Sequence, residues 1–290
     1  MLFFKILPLQ ITSTSDPQKM DSGNGVKFLQ WALPKAGYRW PGFRKPRGQV
    51  LKRVRDRMKE LRLSGDYDMY HQYLEENPEE WVHFDCFCYV TISKFFRDRK
   101  VWEYLRDEVL REILLSDISE PVELWSAGCC NGEEPYSLAI IIEELSKNIT
   151  LRDISILATD RNNEQLKRAR KGRYPSGALN ELTDEELAKY FSQIDNGEED
   201  YEIENELARN IKFEKRDISE SFPHRNFDVV LCRNLVFTYF LQNKQKEFLR
   251  KLKPHLKPDG LLIIGSNEIL PDTPWLKKIN NSHPVYKKCN

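Results

Sequence analysis

The sequence predicts an α/β protein, a doubly wound parallel sheet preceded by a small helical domain, and three observations predict it. First, PVELWSAGCCNGEEPYSLAIIIEEL (residues 121–145) reads as a buried strand over 122–127, a glycine turn bracketed by Gly128 and Gly132, and a helix. Second, the same strand-then-helix unit recurs at 154–171. Third, short apolar runs at FDVVLC (227–232) and LLIIGS (261–266) supply further strands, separated by a helix over 243–256. Strand, glycine turn and helix form the nucleotide-binding corner of such a sheet, where ligands sit outside the carboxyl ends of the strands.

The first corner excludes one large ligand class. Its glycines stand as G-x-x-x-G and not in the dinucleotide spacing. Glu133 and Glu134 open the helix, with Pro135 in its first turn, where a missing N–H is harmless. A helix N-terminus welcomes anions, and dinucleotide enzymes place a pyrophosphate there. Two carboxylates in that position repel phosphate and suit a cationic ligand without phosphates. S-adenosylmethionine, a sulfonium carrying an ammonium group, has that chemistry; the alternative is that the glutamates only complement the helix dipole.

Composition sets the outer limits. The 290 residues suffice for a large and a small domain, and 40% hydrophobic with 31% charged residues describes a soluble globular chain. Forty-five basic and 45 acidic side chains cancel, so net charge favours no partner. The distribution is uneven: between Met20 and Leu63 twelve Lys/Arg face three Asp/Glu, while 180–206 is strongly acidic. No apolar run is long enough for a transmembrane helix. The six cysteines lack paired C-x-x-C spacing, which reads as reduced thiols in a cytoplasmic protein with no metal site.

Taken in order, residues 1–25 read as a flexible leader, with Met20 an alternative start, and 26–90 as a helical domain. Proline and glycine break the segment 31–48 into turns. From 49 to 63, Leu51, Val54, Met58 and Leu61 recur at helical spacing, with Lys52, Arg53, Arg55, Arg57, Lys59 and Arg62 on the other faces. That surplus of charge makes the helix a candidate dock for an acidic protein, with Arg53 and Arg57 the residues to reverse. The second, α/β domain is expected over 91–290. It opens with Thr91, Ser93 and Arg97 beside Phe95 and Phe96, then a helix carrying Val101, Trp102, Leu105, Val109, Ile113 and Leu114. Asp160 ends the second strand, where nucleotide folds place a carboxylate for ribose hydroxyls. Residues 172–212 form an insertion with a helix opened by a Thr183–Glu186 capping box and some short strands. Asp217 follows the third strand of the sheet, Arg233 and Asn234 follow the next, and HPVYKKC (283–289) is read as a last edge strand.

The ordered set TISKFFRD, WSAGCCNGEEPYS, ATDRNNEQLKRARKGRY, FDVVLCRN and LKPDGLLIIGSNE resembles the motifs of the CheR-type S-adenosylmethionine-dependent protein-glutamate O-methyltransferases. The resemblance covers about residues 85–288 well and 26–84 loosely. It implies a class I, Rossmann-like methyltransferase domain with a small inserted β-subdomain, behind a helical N-terminal domain. It places cofactor contacts on Thr91, Ser93, Arg97, Gly128, Gly132, Glu134, Asp160, Asp217 with Ile218, and Arg233 with Asn234. Thr91 and Asp217 stand where many members carry Asn, yet a hydroxyl or carboxylate still accepts hydrogen bonds. Arg97 is implied at the catalytic centre, as holder of a cofactor or substrate carboxylate, with Tyr239 lining the methyl-transfer site. The expected partner is an acidic protein such as a chemoreceptor, and the expected state a monomer. Two rivals from other classes are a nucleic-acid methyltransferase gripping phosphates with the basic helix and a catalytically silent S-adenosylmethionine-binding module. Neutral net charge weighs against the first, and the intact Gly128, Gly132, Glu134, Asp160 and Asn234 against the second.

Overall fold

The computed structural model describes residues 17–63, 65–115, 120–147, 152–194 and 201–289, with side chains from residue 23 onward. It divides into two compact units, meeting in sequence between Tyr89 and Val90. Most of the expected leader, and residues 195–200 within the acidic stretch, lie outside the described residues. None of the described helices is long and apolar enough to cross a membrane.

The first unit is helical: α1 (Pro17–Lys35), α2 (Trp40–Phe43), α3 (Arg47–Glu60), α4 (Tyr67–Glu76) and α5 (Glu80–Phe87). The first helix begins within the segment read as a leader, and Gly25 is already buried, where a Cβ would lie 3.0 to 3.1 Å from the Leu51 and Tyr67 side chains. Helix α3 buries Leu51, Val54 and Met58 of the stripe read from its spacing, together with Val50, while Leu61 caps the helix and is only half-buried. Its charges divide into two groups. Arg57 donates through Nε and Nη2 to the two oxygens of Glu80, at 3.0 and 2.8 Å, and Tyr70 donates to the same carboxylate at 2.8 Å. Glu80 is only 2% exposed, and these donors hold its pKa below the ordinary value although burial pushes the other way. Arg53 donates to the carbonyls of Phe87 and Tyr89. Arg53 and Arg57 therefore brace the helical unit and are the wrong pair to reverse as a docking test. Of the six basic side chains read on this stretch, Lys52, Lys59 and Arg62 are the exposed ones, and Lys59 pairs with the exposed Asp56 at 3.1 Å.

The second unit opens with α6 (Arg99–Tyr104), a π-helical turn over Leu105–Leu110, and α7 (Arg111–Leu115). Then come β1 (Val122–Ala127), α8 (Glu133–Ser146), β2 (Ile154–Asp160) and α9 (Asn163–Lys171). The insertion holds β3 (Arg173–Tyr174), α10 (Asp184–Tyr190), β4 (Phe191–Gln193) and β5 (Tyr201–Ile203). The chain returns through β6 (Ile211–Lys215), β7 (Phe227–Leu231), α11 (Val236–Tyr239), α12 (Gln242–Leu252), β8 (Leu256–Ile263), β9 (Leu276–Lys278) and β10 (Val285–Lys288). The main sheet runs β6-β2-β1-β7-β8-β10-β9; β3-β5-β4 form a separate small antiparallel sheet. The first five strands of the main sheet are parallel, and β10 and β9 close it antiparallel.

Parallel strands covered on both faces carry apolar side chains in both directions. Alternate residues accordingly feed two cores. Leu124, Val229 and Ile263 pack with α8 on one face, and Trp125, Val230 and Leu262 with α12 on the other. The chain winds outward from β1 through β2 to β6 and resumes on the opposite side with β7. The switch of direction falls between β1 and β7, the place where such sheets bind ligands. The C-terminal segment differs from its sequence reading. Val285–Lys288 lies between β8 and β9, so Leu276–Lys278 forms the edge.

Candidate functional site

The site grows from the turn after β1. Gly128 and Gly132 have φ of +81° and +94°, a region that L side chains rarely adopt. A Cβ on Gly128 would come within 2.3 Å of the Leu235 side chain, and one on Gly132 within 2.9 Å of Ala169. Glycine is therefore required twice, and the turn brings the start of α8 to the carboxyl edge of the sheet.

At that start Glu133 is buried and Glu134 half-buried, and they face different partners. The Ser126 hydroxyl donates to Glu134 Oε1 at 2.7 Å, and Arg233 approaches Oε2 at 3.5 Å. Glu133 receives Asn131 and Ser93, but its Oε2 has no hydrogen-bond partner among the described residues. Burial raises the pKa of both carboxyls above the ordinary value; Arg233 and Ser126 oppose it at Glu134, and Asn131 and Ser93 at Glu133.

The segment before α6 is pinned against α8. Phe96 N–H donates to Ser137 Oγ at 3.0 Å, whose own hydroxyl donates to the Glu133 carbonyl at 2.7 Å. Phe95 N–H donates to the Ala178 carbonyl at 3.0 Å, which ties the segment to the insertion. A second tie is bidentate, Arg99 to Glu186 with both bonds at 2.7 Å. Thr91 and Ser93 are half-buried on this segment.

Arg233, at the end of β7, is the centre of the local electrostatics. Its side chain is 3% exposed, pairs with Asp98 at 3.0 Å as well as with Glu134, and lies 5.1 Å from the centre of the Trp102 ring. It also donates to the Arg97 carbonyl. One guanidinium thus serves two carboxylates, with a third, Glu133, at the same helix end. Arg97 is different: its guanidinium meets the Ile92 carbonyl at 3.2 Å, and no carboxylate among the described residues pairs with it. It lies near Tyr239, whose phenol burial pushes up in pKa and the Arg97 charge pulls back.

Asp160 is 4% exposed at the tip of β2, and its carboxylate accepts Cys130 N–H at 2.9 Å and Asn162 N–H at 2.8 Å. Asp217 follows β6; it accepts from Ser219 and meets Arg161 at 3.6 Å. Ile218 is buried in the core on the α12 face. Asn234 has φ +55°, and its N–H donates to Glu268 at 2.9 Å. The structure therefore brings Ser93, Glu134 and Arg233 to the start of α8, with Arg97 and Tyr239 beside them. Asp160 is joined to the same turn through Cys130, whereas Asp217 and Ile218 stand at the end of the neighbouring strand.

Sequence reasoning missed three participants. Asp98 sits beside Arg97 in FFRD, Thr238 precedes Tyr239, and Glu268 closes GSNE after β8. The position of Glu268 just beyond a parallel strand was the available signal.

Comparison with known proteins identifies the family. The family model described as "CheR methyltransferase, SAM binding domain" matches residues 91–285. A chemotaxis protein methyltransferase of Listeria innocua is 36% identical over 179 residues, 62% of this chain and 65% of the relative. The chain thus spans just under two thirds of that relative's length. The chemotaxis protein methyltransferase of Escherichia coli is 33% identical over 227 residues, covering 77% of this chain and 76% of the relative. A relative of the same name from Borreliella burgdorferi is 33% identical over 183 residues, 61% of this chain and 63% of the relative. The chain belongs to the CheR methyltransferase family.

Proposed function

We propose that the protein transfers a methyl group from S-adenosylmethionine to a glutamate carboxylate on an acidic protein, forming a methyl ester. The family makes S-adenosylmethionine the cofactor, and the residues present fit it. The start of α8 holds more carboxylate than Arg233 neutralises, and a buried Glu133 oxygen lacks a partner among the described residues. That surplus suits a cation and disfavours phosphate. Bound there, S-adenosylmethionine would supply an electrophilic sulfonium methyl.

The residues that would hold it are Glu134 with Ser93 and Thr91 at its cationic end, and Asp160 at the ribose hydroxyls. Asp217, Ile218 and Asn234 would flank the base, and Gly128 and Gly132 let the backbone approach. Arg233 is read as holding Glu134 and the Arg97 carbonyl in place. The acceptor carboxylate is ionised at neutral pH, so no general base has to remove a proton. What remains for the protein is to orient the acceptor and exclude water. The observation that carries the reading is Arg97, a guanidinium without a carboxylate partner among the described residues, standing beside the half-buried Tyr239. Such a fork suits an incoming carboxylate.

Labelling with a radioactive methyl donor in lysate tests the reaction class. The expected label is released as methanol by alkali; base-stable label would overturn the ester and favour nucleic-acid or N-methylation. Calorimetry is expected to show binding of S-adenosylmethionine and none of NAD.

The acidic acceptor, chemoreceptor-like by analogy with the relatives' names, is read as docking on the exposed basic side chains on and just after α3. Reversing Lys52, Lys59 and Arg62 to Glu is expected to slow methylation of the protein acceptor, most at low ionic strength, with cofactor affinity unchanged. Rates equal to wild type at every salt concentration would make this face a solvated surface. We read the protein as a monomer and as cytoplasmic, the second supported by its six free cysteines.

A further inference from the structure

Glu268 is a buried carboxylate to which the reading above gives no task. It lies five residues beyond β8 and is 8% exposed. One oxygen, Oε2, accepts two backbone donors, Asn234 N–H at 2.9 Å and Gly265 N–H at 2.6 Å. The other, Oε1, accepts the Thr238 hydroxyl at 2.6 Å. Three structural pieces therefore meet on one side chain: the turn after β7, the turn after β8, and α11, which carries Tyr239. The meeting is close. A Cβ on Gly265 would lie 2.5 Å from Asn234 Nδ2, and Asn234 itself is held at φ +55°. A non-glycine residue in that conformation persists only where its surroundings determine it.

We propose that Glu268 is a positioning residue that fixes Asn234 and, through Thr238, the helix bearing Tyr239 in the arrangement that receives the cofactor and the acceptor. The role is one of reach and of hydrogen-bond acceptance, and the negative charge is secondary. Burial pushes the Glu268 carboxyl up in pKa, in line with a modest role for the charge. The inference rests on the methyltransferase reading, since it assigns Asn234 and Tyr239 their tasks.

Reach and charge separate cleanly in two conservative variants. Glu268→Gln loses the charge and keeps the length; its carbonyl can accept the two backbone N–H groups while its amide donates to the Thr238 oxygen. Glu268→Asp keeps the charge and loses one methylene, so its carboxylate cannot serve all three donors. Calorimetry with S-adenosylmethionine is expected to find Glu268→Gln within about threefold of wild type and Glu268→Asp at least about tenfold weaker, the scale of one or two lost hydrogen bonds. Amide exchange supplies a readout that needs no cofactor: Asn234 and Gly265 N–H groups should exchange faster in Glu268→Asp and at the wild-type rate in Glu268→Gln. Any other ordering overturns the positioning role; tight Asp with weak Gln would mean that the charge acts. Failure of wild type to bind S-adenosylmethionine would overturn the functional reading and this inference together, whereas wild-type binding with equal variants overturns this inference alone.

Discussion

Replacing Arg233 with leucine is expected to cost about 3–5 kcal/mol of stability, the scale for breaking a buried pair and leaving its charge uncompensated. The guanidinium is almost wholly buried between Asp98 and Glu134, against the face of Trp102. Leucine could fill part of that space but would leave two carboxylates without their cation. The loss should depend on pH. Glu134 and Glu268 already have raised pKa values because burial disfavours their charged forms, and Arg233 opposes that rise at both. A carboxyl raised in the folded state binds more protons there than in the unfolded chain. Its contribution is therefore present below the ordinary carboxylate range and declines as pH rises through the interval up to the raised value. Removing Arg233 extends that interval upward. Urea unfolding should thus show a smaller penalty near about pH 5 than near about pH 8. Equal penalties at both would show that Glu134 does not depend on Arg233 for its charge.

Asp160→Ala is expected to weaken S-adenosylmethionine binding by about 1.5–3 kcal/mol, the range for hydrogen bonds to a charged group. The structure adds a second consequence. Asp160 also accepts Cys130 and Asn162 N–H, so alanine removes the acceptor that ties the turn after β1 to the end of β2. An orphaned buried N–H costs about 1–3 kcal/mol, and the melting temperature should fall alongside affinity. Asp160→Asn keeps one acceptor oxygen, enough for one of the two N–H groups, and separates the two effects: part of the stability should return, while the charge-assisted part of binding should not. Wild-type affinity for Asp160→Ala with an intact fold would remove this residue from the site.

Much of the main sheet could be read along the chain, for a local reason. Val122–Ala127 and Asn163–Lys171 are bounded in the structure as their patterns indicated, because a buried strand ending in glycine and an Asn-capped amphipathic helix declare themselves within a few residues. The helix read as continuous from Val101 to Leu114 kept its apolar stripe but passes through a π-helical turn, which periodicity does not reveal. The C-terminal strand was legible as a strand and not as an inner one. Strand type is written in local alternation, whereas sheet order depends on pairings between distant segments.

The same division runs through the site. Sequence by itself determined which residues would stand at the carboxyl ends of the strands, since each follows its strand directly in the chain: Gly128, Asp160, Asp217, Arg233 and Asn234. It also determined that the helix after β1 would begin with carboxylates. Tertiary structure decided which partners those residues take, because partners are chosen by proximity after folding and by the cost of leaving a buried charge alone. Arg233 finds Asp98 across 135 positions, and Glu268 finds Asn234 across 34. Arg53 and Arg57 look like two more surface charges in a basic helix, yet the carbonyls of Phe87 and Tyr89 and the buried Glu80 claim them for the fold. Arg97, two residues from Arg99 and with the same side chain, keeps its guanidinium unpaired by carboxylate among the described residues, while Arg99 is bound bidentately to Glu186. No spacing rule distinguishes the two; the packing of the insertion against α6 does.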